Sequence, residues 1–201
     1  NGETSSEQSF QLNRKKYMSA LEDQIREIYG RIVYSHKTHE ACADALLSAH
    51  NRIKVWQIIL SAITTAGFIG VIFLDERIVA ILGVAAATIL LVLNAYTKDF
   101  DLGAVAQKHR ESASDIWDIR ERYLSLLTDM NETDATPDKT KERRDELQEE
   151  LHVIYKSTPS TNSKAYKRAQ KKLQIEDDLT FHTGEIDKFL PKALRRDTAN
   201  H

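Results

Sequence analysis

The sequence predicts an all-α fold: a two-span transmembrane helical hairpin continued by long antiparallel cytosolic helices, with a small C-terminal helical region. Three observations carry this. Val55–Leu74 (VWQIILSAITTAGFIGVIFL) and Ile78–Tyr96 (IVAILGVAAATILLVLNAY) hold no charge, and only Asp75, Glu76 and Arg77 separate them. At about 1.5 Å per residue each run covers the ~30 Å hydrocarbon core of a bilayer, and so short a turn sends the chain straight back. The rest of the 201 residues is strongly polar, giving a mean hydropathy of -0.45 despite the two apolar runs. Proline and glycine are scarce, while Ala, Leu, Glu, Lys and Arg abound, which leaves strands little support. The competing arrangement is a hairpin buried in a soluble bundle. Core helices of that kind keep a polar stripe or run to about 10–14 apolar residues, and here the flanking chain is too charged to wrap two such helices. A signal peptide does not fit a run that starts at residue 55 and is followed by a second span.

Taken in order, residues 1–9 are polar, lack an initiating methionine and are expected to be disordered or left by cloning. Residues 10–54 form a helix leading into the membrane. Met18, Leu21, Ile25, Ile28, Ile32, Ser35, His39, Cys42, Leu46, Ala49 and Ile53 alternate spacings of three and four, a coiled-coil-like seam with Gly30 as its weak point. Residues 55–96 are the hairpin. Residues 97–130 form the return helix, where Leu102, Val105, His109, Ser112, Ile116, Ile119, Tyr123, Leu126 and Met130 keep the same rhythm. The two seams pair antiparallel in a stalk roughly 45 Å long. Leu47, Tyr29, Trp117, Leu124 and Leu127 lie off the seam, available to later helices or to neighbouring subunits.

Residues 131–201 are the C-terminal region. After a polar linker, Thr136 caps a helix over about Pro137–Lys156 with proline at its first position. Ser157–Ser163 breaks it, a further helix covers about Lys164–Asp178, and a last short helix is capped by Thr183. Arg52 and Lys54 precede the first span and Lys98 follows the second, so both termini are expected in the cytoplasm. The formal charge of -2 and the lack of a basic stripe with interleaved aromatics argue against nucleic acid. One cysteine, Cys42, fits a reducing compartment.

The chemistry-bearing residues each have a plain alternative. Ala62, Ala66 and Gly70 recur every fourth position in the first span, as do Gly83 and Ala87 in the second; such ridges let helices approach closely in lipid, within one hairpin or between subunits. Gln57, Ser61 and Thr64 share a helical face, and Thr65, Thr88 and Asn94 add further polar groups, a set suited to lining a pore in an oligomer. Against that, Ser and Thr hydroxyls commonly bond back to their own helix, while Gln57 and Asn94 lie near the headgroups. Asp75 and Glu76 would ring an outer mouth and favour cations, or simply keep the turn solvated, the commoner case. His39 and His109 sit at matching depths with His36 and Glu40 nearby; hydrogen-bonded seam histidines are commoner than a protonation switch or a metal site. Lys167, Arg168, Lys171 and Lys172 form a basic cluster that fits a phosphate or anionic lipid, although a solvated face is more frequent. No nucleophile, acid/base pair or glycine-rich loop is present in a context that supports catalysis, so no enzyme and no cofactor is expected.

This arrangement, together with Ala169-x-x-x-Leu173, Thr180-Phe181 and Glu185-Ile186-Asp187-x-x-Leu190-Pro191, resembles the SLATT domain, the bacterial SMODS and SLOG-associating two-transmembrane effector, over roughly residues 15–195. The resemblance implies a homo-oligomeric effector of an anti-phage, abortive-infection system in the bacterial inner membrane. A nucleotide second messenger, or the synthetase or sensor tied to it, would switch the effector on, and the effector would permeabilise the membrane. The alternative is a non-conducting membrane-anchored scaffold that recruits a partner.

Overall fold

The computed structural model describes residues 2–74, 77–130, 136–181 and 185–186. Five helices follow in order: α1 (Gly2–Leu74), α2 (Arg77–Asp99), α3 (Leu102–Asp129), α4 (Pro137–Ser157) and α5 (Ser163–Gln174), with no strand among the described residues. The first helix is one continuous rod of 73 residues, about 110 Å long, that carries the first apolar run at its end. It begins at Gly2 rather than near Phe10, so residues 2–9 extend the rod where disorder was expected. Nothing from Glu3 to Ser9 breaks a helix already formed further along, and extension is easier than nucleation.

The return path is broken where the heptad pattern predicted one helix. α2 ends at Asp99, and Asp101 caps α3 by accepting the Ala104 N–H at 2.9 Å. A carboxylate at that position satisfies one of the unpaired amides of a new helix, which favours restarting over continuing. The stalk itself forms as the seams predict. Leu21, Ile25, Ile28 and Ile32 of α1 and Ile116, Ile119, Tyr123 and Leu126 of α3 are buried together, and α4 closes the third side with Leu147 and Leu151. Ile25, Ile32, Ile116, Tyr123 and Leu147 are wholly inaccessible. Nearer the membrane the seam shifts by one residue: Ala106 is buried and Val105 is 40% exposed. Of the off-seam residues, Tyr29 and Leu127 pack against this core, whereas Leu47, Trp117 and Leu124 stay exposed.

Two polar ties hold α4. Arg122 of α3 forks onto Glu150, and Arg144 donates to Gln24 of α1 at 2.5 Å. Thr136 precedes Pro137 as expected, but its carbonyl, not its hydroxyl, makes the contact, accepting from the Thr140 N–H and hydroxyl. Asn162 caps α5 at the Ala165 N–H. α5 then lays Ala165 against Ala41 and Cys42 of α1 and buries Ala169 as well, small residues that suit a close approach of the two helices. Beyond α5 the chain turns through left-handed Asp177 and Leu179 and delivers Asp178 to the largely buried Lys37 at 2.7 Å. Burial alone would lower the Lys37 pKa, yet its hydrogen bonds to Asp178 and Glu40 raise it above the usual lysine range. The proposed Thr183 cap lies outside the described residues, and of the final helix only Glu185 and Ile186 are described.

Tyr123 offers a test of the stalk core. Its hydroxyl is buried with no hydrogen-bond partner among the described residues, and burial pushes its pKa up to about 12. Removing an unsatisfied buried hydroxyl relieves a desolvation cost, so Tyr123→Phe is expected to stabilise the stalk by roughly 1 kcal/mol, read as a higher melting temperature in detergent.

Candidate functional site

The two candidate membrane helices expose their apolar sides. Among the described residues of the two apolar stretches, only Leu60 of α1 and Ala86 of α2 are buried. Ile58 and Phe68 are each 70% exposed and Leu91 is 69% exposed. A hairpin inside a soluble bundle would bury these side chains, because leaving them in water forfeits about 25 cal/mol for every Å² of apolar surface. Two lipid-facing helices need no such cover.

Contact between the helices is made by glycine. A Cβ placed on Gly67 would lie 3.3 Å from the Gly83 Cα and 3.7 Å from the Val79 carbonyl oxygen, so the backbones nearly touch at that level. Gly70 faces Val79 one turn on. The closing ridge is therefore Gly67 and Gly70 against Val79 and Gly83, with Ala86 buried and Ala87 half-buried beside it. Ala62 and Ala66, which share the four-residue spacing with Gly70, are exposed and are not part of this glycine contact. Gly67 belongs to the interface because 60, 64, 67 and 70 follow one helical face; the four-residue spacing drifts off it.

The polar set divides. Gln57 reaches across the hairpin, donating to Asn94 Oδ1 at 2.9 Å and to Thr97 Oγ1 at 3.2 Å. Thr97 completes this amide–hydroxyl clamp; its place one turn beyond Asn94 was the available clue. Thr64, Thr65 and Thr88 bond back to the carbonyls of Leu60, Ser61 and Val84. Ser61 and Thr65 join Gln57, Asn94, Lys54 and Ala62 along an open groove on one flank of the hairpin, whereas Thr64 and Thr88 do not line it. Asp75 and Glu76 lie outside the described residues.

Below the hairpin, His39 and His109 meet at the α1–α3 seam with their Nδ1 atoms 3.0 Å apart. One ring must donate and the other accept, so the pair is built for neutral imidazoles of opposite tautomer. Burial, then the neighbouring His109 and His36, takes the His39 pKa down to about 4; burial also lowers those of His109 and His36. No group of three or more metal-ligating side chains occurs among the described residues.

A larger cleft of about 770 Å³ opens between α1, the end of α4 and the start of α5. Tyr34 and Tyr166 stack in its wall at 5.8 Å between ring centres, and Tyr155, Arg31, Ser35 and Thr161 also line it. Gly30, the weak point of the seam by sequence, forms part of this wall with open space where a side chain would be. Of the basic cluster, Lys171 pairs with Glu176 at 3.0 Å, Lys172 and Lys167 line none of these openings, and Arg168 enters a separate groove with Arg52.

A model of the SMODS and SLOG-associating 2TM effector domain, family 4, matches residues 21–185, most of the chain. Neither the curated proteins nor the solved structures gave a match.

Proposed function

The chain belongs to the SMODS and SLOG-associating 2TM effector domain family, and from that premise we propose that it acts as a homo-oligomeric effector that permeabilises the bacterial inner membrane with both termini in the cytoplasm. The observation that carries this reading is the polar groove of Gln57, Ser61, Thr65 and Asn94, which opens sideways from a hairpin whose own interior is closed by glycine contact. A single hairpin encloses no channel. Copies that turn this flank toward a shared axis obtain a wettable lining, and the exposed Ala62 lets their backbones approach.

Activation, in the same reading, comes from a nucleotide second messenger, or from the synthetase or sensor tied to it, acting on the polar bundle. The tyrosine-walled cleft is the place for a small aromatic signal, since stacked rings and hydroxyls hold such ligands and 770 Å³ falls within the usual range of ligand pockets. The scaffold alternative draws support from the self-bonded hydroxyls of Thr64, Thr65 and Thr88, which need no water.

The test is dye release from vesicles carrying the activated protein. Ser61→Leu with Thr65→Leu is expected to cut release by about tenfold or more while leaving assembly intact by native mass spectrometry. Unchanged release would remove the groove from the conduction path and favour a protein that disrupts the bilayer from outside any lined pore. An assembly that never releases dye in the wild type would leave the scaffold.

A further inference from the structure

Among the described arginines of the polar helices, most are neutralised, and Arg14, near the far end of α1, has no carboxylate partner among the described residues but is remote from the membrane. Arg26, Arg31, Arg110, Arg120, Arg122, Arg143 and Arg144 each pair with a carboxylate. Arg52 and Arg168, 116 positions apart, have no such partner among the described residues, and both line one groove of about 600 Å³ between α1 and α5. Ser48 and Asn51 add a hydroxyl and an amide to the wall. The single acid there, Asp44, is engaged by Arg110 at 3.0 Å. Two like charges facing one opening repel each other, and an anion between them removes that cost.

Depth decides what kind of anion. Arg52 precedes the first span by three residues, about 4.5 Å along the helix, which is within the ~5–7 Å headgroup layer outside the hydrocarbon core. Arg168 is brought beside it because Ala165 and Ala169 let α5 pack closely on α1. Two arginines then border one groove at the level of the lipid phosphates, and planar guanidinium forks match phosphate oxygens in pairs.

We propose that the groove between α1 and α5 binds the phosphate of an anionic phospholipid headgroup, held by Arg52 and Arg168. The remaining cluster residues act only as a diffuse positive field. A bound headgroup ties α5 to the membrane surface and so fixes the polar bundle against the start of the first span. The site is independent of whether the hairpins conduct.

The full chain reconstituted in phosphatidylcholine nanodiscs containing about a fifth phosphatidylglycerol provides the test, with retained lipid counted by native mass spectrometry after transfer to detergent. Arg52→Gln and Arg168→Gln are each expected to reduce phosphatidylglycerol retention about tenfold, and the double variant to fall little further, since both act on one ligand. Arg168→Lys, which keeps the charge without the fork, is expected to fall between. Lys167→Gln removes the same charge from the next residue and is expected to retain lipid as the wild type does. Equal losses in Lys167→Gln and Arg168→Gln would reduce the effect to surface charge and overturn the site. Displacement of the lipid by inorganic phosphate at about millimolar concentration would make this a soluble-phosphate site and overturn the lipid assignment. Each variant is first checked for an unchanged helical circular dichroism spectrum, and its residues are exposed, so folding and binding are read separately.

Discussion

Gly67→Leu opens the hairpin. A leucine there has no room, because even its Cβ would meet the Gly83 backbone at 3.3 Å, and backbone cannot swing aside as a side chain can. The helices must separate by several ångströms, losing dispersion contacts that nothing in lipid replaces. The expected cost is about 3 kcal/mol, at the upper end for overpacking, read as earlier unfolding in a detergent titration. Gly70→Leu meets only the Val79 side chain at first contact and is expected to cost less. Ala62→Leu and Ala66→Leu replace exposed residues outside the glycine contact and should leave the hairpin intact. If those two variants keep a stable hairpin but fail to assemble, the outer ridge joins subunits. If Gly67→Leu is as stable as the wild type, the close approach at Gly83 is not what holds the spans together.

Acid loosens the stalk. The His39 pKa of about 4 in the folded chain lies below the ~6.5 of an unfolded histidine, so the folded state binds fewer protons between those values. Stability is full above pH 6.5 and falls as pH drops toward 4, by up to about 1.4 kcal/mol per unit, or roughly 3 kcal/mol over the window. His109 and His36 are shifted the same way and deepen the loss. Their surroundings temper it on one side only: Glu40 and Asp178 favour a charged His36, while Lys37 and Arg120 oppose it. Melting the protein at pH 7.5, 6 and 5 should show this slope, and His39→Leu with His109→Leu should flatten it. A slope unchanged in the double variant would place the acid sensitivity elsewhere.

The hairpin and the stalk core were legible because each rests on a repeating apolar pattern. Leu21 through Ile32 and His109 through Leu126 obey one period, and the period alone names the face that is buried. The break at Phe100–Asp101 was not, since the return helix was read as running unbroken from residue 97 into the seam that starts at Leu102. Its signal was a single capping residue, Asp101, in a stretch otherwise read for hydrophobicity. Lys37 escaped for the opposite reason: nothing local distinguishes a lysine that meets Asp178 from one in water, and the partner arrives from the far end of the chain. The polar set splits in the structure. Spacing placed Gln57, Ser61 and Thr64 together, but which of them turns toward α2 depends on where the glycines let the helices touch, and Gly67 was not read as one of those points.

One consequence follows from the unequal construction of the two legs. α1 is an unbroken rod from the polar bundle to the end of its apolar run, whereas the other leg is jointed at Phe100–Asp101. A rod transmits twist along its axis; a joint absorbs it. Torque applied at the base of the stalk would therefore reach the first span directly along α1, and the second only through the clamp of Gln57 on Asn94 and Thr97.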